Sequence, residues 1–78
     1  MRIKLQYIRE DLFGYFIYEV VGEPQNRANI RYSEVSNSYE CTVWMRGKLV
    51  GCKFHPTRKI AKGWAISILK DKAVMGWE

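Results

Sequence analysis

The sequence predicts a small α+β domain, an antiparallel sheet of three to five strands with one face covered by a C-terminal amphipathic helix. Two stretches carry this prediction. Residues 39–54 alternate between apolar and polar side chains on both sides of Arg46-Gly47, which is typical of a β-hairpin. Residues 57–70 place apolar side chains at three- and four-residue spacing, which is typical of a helix packed on a sheet. The length of the chain, residues 1–78, indicates one domain.

The N-terminal half predicts further strands. Residues 15–21 are aromatic and β-branched, which favours a strand, and residues 30–35 alternate and favour another. Residues 2–13 fit both a strand and a helix, because their apolar side chains satisfy two-residue alternation as well as helical spacing. Between these segments, residues 24–26 predict a loop and residues 36–38 predict a turn.

The alternation in the hairpin predicts which side chains face the helix. With Arg46-Gly47 as the turn, the expected pairs are Met45 with Lys48, Val43 with Val50, Cys41 with Cys52, and Tyr39 with Phe54. These side chains would form the inner face. The outer face would carry Glu40, Thr42, Trp44, Arg46, Leu49, Gly51 and Lys53. In a reducing compartment, the two cysteines are then expected to be buried thiols rather than a disulfide.

The helix is expected to begin after His55-Pro56, with Thr57 as its N-cap. Its predicted apolar stripe comprises Ile60, Ala61, Trp64, Ala65, Ile68 and Leu69, followed by an apolar tail of Val74, Met75 and Trp77. Arg58 and Lys59 fall in the first turn, where the helix dipole makes each exposed cation unfavourable by about 0.3–1 kcal/mol. Such a local conflict indicates a functional site, because a phosphate there would satisfy both the cations and the free N–H groups.

The net charge of +5 lies entirely in the C-terminal half. Residues 1–38 contain five cations and five acids, whereas residues 39–78 contain eight cations and three acids. This asymmetry favours an anionic partner. The chain carries neither an apolar run long enough for a membrane span nor a signal-peptide pattern, so we expect a cytoplasmic or nuclear protein that is not secreted.

The side chains needed for catalysis or metal binding are sparse. His55 is the only histidine, and neither it nor the scattered acids are spaced as a catalytic pair. Gly47-Lys48 lacks the other residues of a phosphate-binding loop. A zinc site built from Cys41, Cys52 and His55 would lack a fourth ligand. We therefore expect a protein without enzymatic activity, cofactor or bound metal.

A longer pattern joins the hairpin to the helix. Its strand positions are Tyr39, Cys41, Val43 and Met45, its glycines are Gly47 and Gly51, and its helical residues are Thr57, Arg58, Lys59, Ala61, Lys62 and Ala65. The pattern resembles F-x-V-x-V-x-V-x-G-x-x-x-G followed by S-K-K-x-A-K-x-x-A, the end of a double-stranded RNA-binding domain of the type in Dicer-like ribonucleases. The resemblance covers residues 39–69, with Lys53 and His55 where that family usually has glycines.

The resemblance implies a dsRBD-like fold that binds duplex RNA by its shape. Residues 18–21 are similar to the first strand of that family, and Leu5 would lie on its first helix. Basic residues of the last helix would contact phosphates across the narrow major groove, while the first helix and first loop touch two minor grooves over roughly 16 bp. The nucleic-acid-binding residues expected on this basis are Arg58, Lys59, Lys62, Thr57, His55, Lys53, Gln6, Asn26 and Arg27.

Two other functions would use the outer face of the hairpin. Phe54, Thr57, Arg58, Lys59 and Trp64 are similar to the strand–helix boundary of the arm domains of phage-type integrases. That resemblance implies DNA binding through the sheet, with contacts from Thr42, Trp44, Arg46, Leu49 and Lys53. Alternatively, Trp44 and Leu49 would form an apolar patch that binds protein. The small size of the chain suits a phage-type inhibitor or adaptor of a host nucleic-acid-processing protein.

Overall fold

The computed structural model describes the backbone of residues 3–74 and the side chains of residues 3–71. The elements are β1 (Leu5–Glu10), β2 (Phe16–Val20), β3 (Glu23–Ser33), β4 (Ser38–Met45), β5 (Lys48–His55) and α1 (Arg58–Val74). The strands form one five-stranded antiparallel sheet in the order β1-β2-β3-β4-β5. The predicted α+β architecture of a sheet followed by a C-terminal helix is confirmed. The predicted tail residues Met75 and Trp77 lie outside the described residues.

The ambiguous first segment is a strand. β1 pairs antiparallel with β2. Leu5, the first residue of β1, is buried and lies opposite Val20. Leu5 and Gln6 are therefore not on a helix, so the first helix implied by the dsRBD resemblance is replaced here by an edge strand. The physical reason is that two-residue alternation places Leu5 and Tyr7 on one face of β1, where Leu5 lies opposite Val20 and Tyr7 contacts the ring of Tyr18.

The loop expected at residues 24–26 is wrong, because these residues belong to β3. The ladder between β2 and β3 is irregular there: Glu19 pairs with Arg27 while Val20 pairs with Glu23. The three intervening residues form a bulge that continues the strand. A proline is tolerated in this stretch because the pairing of β3 with β4 begins only at Arg27.

The hairpin turn is confirmed and the register beyond it is wrong. Arg46 and Gly47 have φ values of 54° and 79°, as a two-residue type I′ turn requires, and Met45 pairs with Lys48 as expected. A β-bulge at Val50 then shifts the pairing by one residue. The observed pairs are Val43 with Gly51, Thr42 with Cys52, Cys41 with Lys53, Glu40 with Phe54, and Tyr39 with His55.

The bulge exchanges the two faces of the last part of β5. Cys52 and Phe54 lie on the outer face and are exposed, whereas Gly51, Lys53 and His55 lie on the inner face. Gly51 sits under the indole of α1, because a Cβ built there would lie 3.1 Å from Cη2 of Trp64. The shift thus places the residue without a side chain beneath the Trp64 indole, where a Cβ would be crowded.

Helix α1 packs on β3, β4 and β5 through one buried face. Ala61, Ala65 and Leu69 have no exposed surface and meet a core that includes Ile30 and Val43. Ile60, expected in the apolar stripe, is 50% exposed and is not part of this contact. Among the described residues, no helix combines the length and apolar character needed to cross a membrane.

Candidate nucleic-acid interface

The start of α1 is capped as expected. The Ile60 N–H donates to Oγ1 of Thr57 over 3.1 Å, and the Ala61 N–H donates to the Thr57 carbonyl oxygen over 3.1 Å. The first turn contains no acid, and Arg58 and Lys59 are both exposed. The helix therefore begins with uncompensated positive charge at the positive end of its dipole.

Two of the expected cations lie over aromatic rings of β2. The guanidinium carbon of Arg58 is 4.3 Å from the centroid of the Phe16 ring, and Nζ of Lys62 is 5.4 Å from that of Tyr18. Four helical residues advance about 6.0 Å, nearly the same as the roughly 6.6 Å of two strand residues. Arg58 and Lys62 reach β2 from a helix that itself packs on β3, β4 and β5, and the single helical turn between the two cations matches the two-residue step between the two rings.

A third ring completes what we call the aromatic groove, which consists of Tyr7, Phe16, Tyr18, Arg58 and Lys62. The Tyr7 ring lies 5.6 Å from Tyr18 at 67° and 6.4 Å from Phe16 at 49°. Tyr7 is 53% exposed, whereas Tyr18 is buried. The groove has aromatic rings on its sheet side and cations on its helix side.

A depression of about 750 Å³ adjoins the groove at Lys62, towards the far end of β2. This depression is lined by Ile3, Lys4, Leu5, Val20, Val21, Glu23, Lys62 and Ile66. Lys62 thus borders both parts. Lys4 adds a cation and Glu23 adds an acid at this end, so the positive charge is concentrated near the helix start.

His55 is not positioned to contact phosphate, contrary to the expectation from sequence. It is 6% exposed, lies opposite Tyr39, and its ring centroid is 5.0 Å from that of Trp64. Its Nε2 is buried without a hydrogen-bond partner. Burial lowers the pKa of His55 below its ordinary value, and the charge of Lys53 lowers it further. His55 is therefore a neutral packing residue beneath the start of α1.

Three other expected contacts also lie away from the helix start. Asn26 is 5% exposed, and its Oδ1 accepts from the Arg46 N–H over 3.0 Å, so it supports the hairpin turn rather than a ligand. Gln6 and Arg27 are exposed but belong to the outer face of the sheet. There they share one cross-strand row with Trp44.

The alternative surface on the outer face is formed by neighbouring side chains. Trp44 pairs directly with Leu49, which is 55% exposed, and Arg27 pairs with Trp44 from the other side. Thr42 lies in the next row, with its Oγ1 3.9 Å from Sγ of Cys52. A pocket of about 330 Å³ opens on this face, lined by Gln25, Arg27, Asn29, Trp44 and Gly47. Lys53 faces the other way and does not belong to this surface.

The two thiols have different environments. Cys41 is fully buried, and its Sγ donates to the Ala61 carbonyl oxygen over 3.6 Å. Burial, reinforced by the nearby Cys52, raises the pKa of Cys41 to about 12. Cys52 is exposed, so the expectation of two buried thiols is wrong for this residue. Within residues 3–74, no cluster of three His, Cys, Asp or Glu side chains could hold a metal ion.

Sequence reasoning identified the cations of the groove but not its rings. Phe16 and Tyr18 alternate on β2 as one face of a strand requires, and Arg58 and Lys62 are spaced by one helical turn. Each pattern is visible in the sequence. Their meeting depends on the direction in which α1 crosses the sheet, which the sequence pattern does not contain.

Comparisons with protein-family models, with curated proteins and with solved structures give no match to this chain.

Proposed function

We propose that the protein is a non-enzymatic nucleic-acid-binding domain that binds backbone phosphates at the start of α1. The observation that carries this proposal is the position of Arg58 and Lys62, which line the aromatic groove with Lys59 exposed beside them. Among the described residues, no carboxylate lies within ion-pair distance of these three cations. Their charge is therefore available to an anionic partner.

Duplex RNA is the first partner to test. A cluster of cations at the start of one helix suits phosphates that face each other across the narrow major groove of A-form RNA. Minor-groove contacts by Gln6 and Asn26 are not part of the proposal, because Gln6 is on the opposite face of the sheet and Asn26 is buried. The proposal therefore rests on phosphate contacts alone.

The test is a binding titration with duplex RNA and duplex DNA at several salt concentrations. The wild-type protein is expected to bind, with an affinity that falls as salt rises. The double variant Arg58→Glu/Lys59→Glu is expected to lose binding to both. Trp44→Ala, on the opposite face, serves as the matched control and is expected to bind normally. An absence of salt-sensitive binding to any nucleic acid would refute the proposal.

A second candidate function uses the outer face. Trp44 and Leu49 are adjacent, Leu49 is more than half exposed, and Arg27 flanks them. This surface suits either the major groove of DNA or an apolar patch on a protein partner, as an inhibitor or adaptor of a nucleic-acid-processing protein would require. The same titration separates the two sites. Duplex DNA binding that is lost in Trp44→Ala and retained in Arg58→Glu/Lys59→Glu would assign the function to the outer face.

A further inference from the structure

We infer that the aromatic groove binds unpaired nucleotides, so that the preferred ligand is a nucleic acid with a single-stranded segment. This inference rests on the proposed function, because the same cations bind the backbone of that segment. It goes further in assigning base stacking to Tyr7, with Tyr18 as the ring that orients it, and in naming the form of nucleic acid that the site selects.

The rings of the groove differ in what they offer to a ligand. Arg58 and Lys62 already cover the rings of Phe16 and Tyr18, at 4.3 and 5.4 Å from their centroids. Tyr7 is more than half exposed, and its orientation is set by edge-to-face contact with Tyr18. The Tyr7 ring is thus held in place by Tyr18 and is exposed to solvent, which are the two properties that a base needs for stacking. The faces of bases inside a duplex are covered by their neighbours, so only unpaired bases can use it.

The charges beside the rings suit the backbone of the same strand. A base stacked on Tyr7 would have its phosphates next to Arg58 and Lys62, the combination of aromatic platform and basic groove by which proteins bind single strands. Two acids limit this site. Glu23 lines the depression at one end, and Glu10 lies opposite Phe16 in the ladder at the other. We therefore expect the bound segment to be short and centred on Tyr7.

The experiment compares three fluorescent probes: a blunt duplex, the same duplex with an unpaired overhang, and the overhang strand alone, each as RNA and as DNA. The wild-type protein should bind the two probes with unpaired nucleotides more tightly than the blunt duplex. Tyr7→Ala should weaken binding to these two probes by about tenfold and leave binding to the blunt duplex unchanged. Tyr7→Phe should behave as wild type, because stacking needs the ring and not the hydroxyl.

Phe54→Ala is the matched control, because Phe54 has similar exposure, 48% against 53% for Tyr7, and lies on the outer face. It should bind all three probes as wild type does. If Tyr7→Ala does not fold, the ring protons of Tyr7 provide the readout in the wild-type protein, since a stacked base should shift their NMR signals upfield. Assignment of these signals uses Tyr7→Phe.

Equal affinity for all probes, with no effect of Tyr7→Ala or no upfield shift, would overturn the inference and leave the proposed function intact. Loss of the overhang preference in Phe54→Ala would also overturn it, because the bases would then be bound on the outer face. If no probe shows salt-sensitive binding, both the inference and the proposed function are refuted.

Discussion

Two glycine-to-alanine substitutions in this chain are expected to have opposite effects on stability. In Gly51→Ala, the new Cβ would lie 3.1 Å from Cη2 and 3.6 Å from Cζ2 of Trp64, with Cγ2 of Ile68 at 3.9 Å. The indole would have to move, and it contacts the ring of His55 at 5.0 Å between centroids. In Gly63→Ala, on the exposed side of α1, the new Cβ meets no atom within 4 Å beyond its chain neighbours and the adjacent helix backbone.

The expected magnitudes follow from these distances. Overpacking of this kind typically costs about 1–3 kcal/mol, and removing glycine from the unfolded chain offsets roughly 0.4–1 kcal/mol of that. Gly51→Ala should therefore lower the free energy of unfolding by about 1 kcal/mol, or the melting temperature by about 4–8 °C. Gly63→Ala should raise the free energy of unfolding by about 0.5–1 kcal/mol, because alanine is the better helix former.

Thermal and urea unfolding, followed by circular dichroism, measure both changes. Trp64→Phe provides a double-mutant test, since Gly51→Ala should cost less in a background where the larger ring has been removed. A gain in stability of Gly51→Ala, as large as that of Gly63→Ala, would refute the bulge at Val50. In the register without that bulge, Gly51 faces the outer side of the sheet and an added methyl group meets no helix.

Three further predictions concern the start of α1. Thr57→Ala removes the side chain that accepts from the Ile60 N–H, so the free energy of unfolding should fall by about 1 kcal/mol in urea denaturation, and no change would contradict the cap. Arg58→Gln/Lys62→Gln should reduce the slope of log affinity against log salt by about 1.5, whereas Lys70→Gln, at the other end of α1, should not change it. An unaltered slope in the double variant would exclude these phosphate contacts. The pKa of His55 is lower in the folded state than in the unfolded chain. As the pH falls below about 6.5, His55 therefore binds a proton in the unfolded chain first, and the free energy of unfolding should decrease. The decrease should end once the pH is below the folded-state pKa. His55→Gln should remove this part of the pH dependence of unfolding, and an identical profile in both proteins would contradict it.

The parts of the fold that depend on neighbouring residues could be predicted from the sequence. Arg46-Gly47 forms the tight turn because the glycine accepts a positive φ, here 79°. Thr57 caps the helix because its hydroxyl lies within reach of an N–H three residues later. The hairpin and the helix were therefore predicted at nearly their observed positions.

The parts that depend on distant residues could not be predicted. The pairing of β4 with β5 follows the expected register as far as Leu49 and shifts by one residue at the Val50 bulge. The bulge places Gly51 beneath Trp64, which lies thirteen residues later in the chain and occupies the space that a larger side chain at that position would need. Likewise, the composition of residues 24–26 predicts a loop at Asn26, and the Arg46 N–H that donates to its Oδ1 is twenty residues away. The same limit applies to the candidate site, whose cations were visible in the sequence while its aromatic side required the pairing of β1 with β2.

The salt dependence of nucleic-acid binding by the wild-type protein tests the central claim most directly. Three cations, Arg58, Lys59 and Lys62, are available at the start of α1. If all three contact phosphates, log affinity should fall against log salt with a slope of about −2.1 to −2.7, depending on whether the bound region is single-stranded or duplex. A slope of this size, measured by fluorescence anisotropy with the overhang probe, is the result expected from phosphate binding at α1. Binding that does not change with salt, or no binding at low salt, would contradict it.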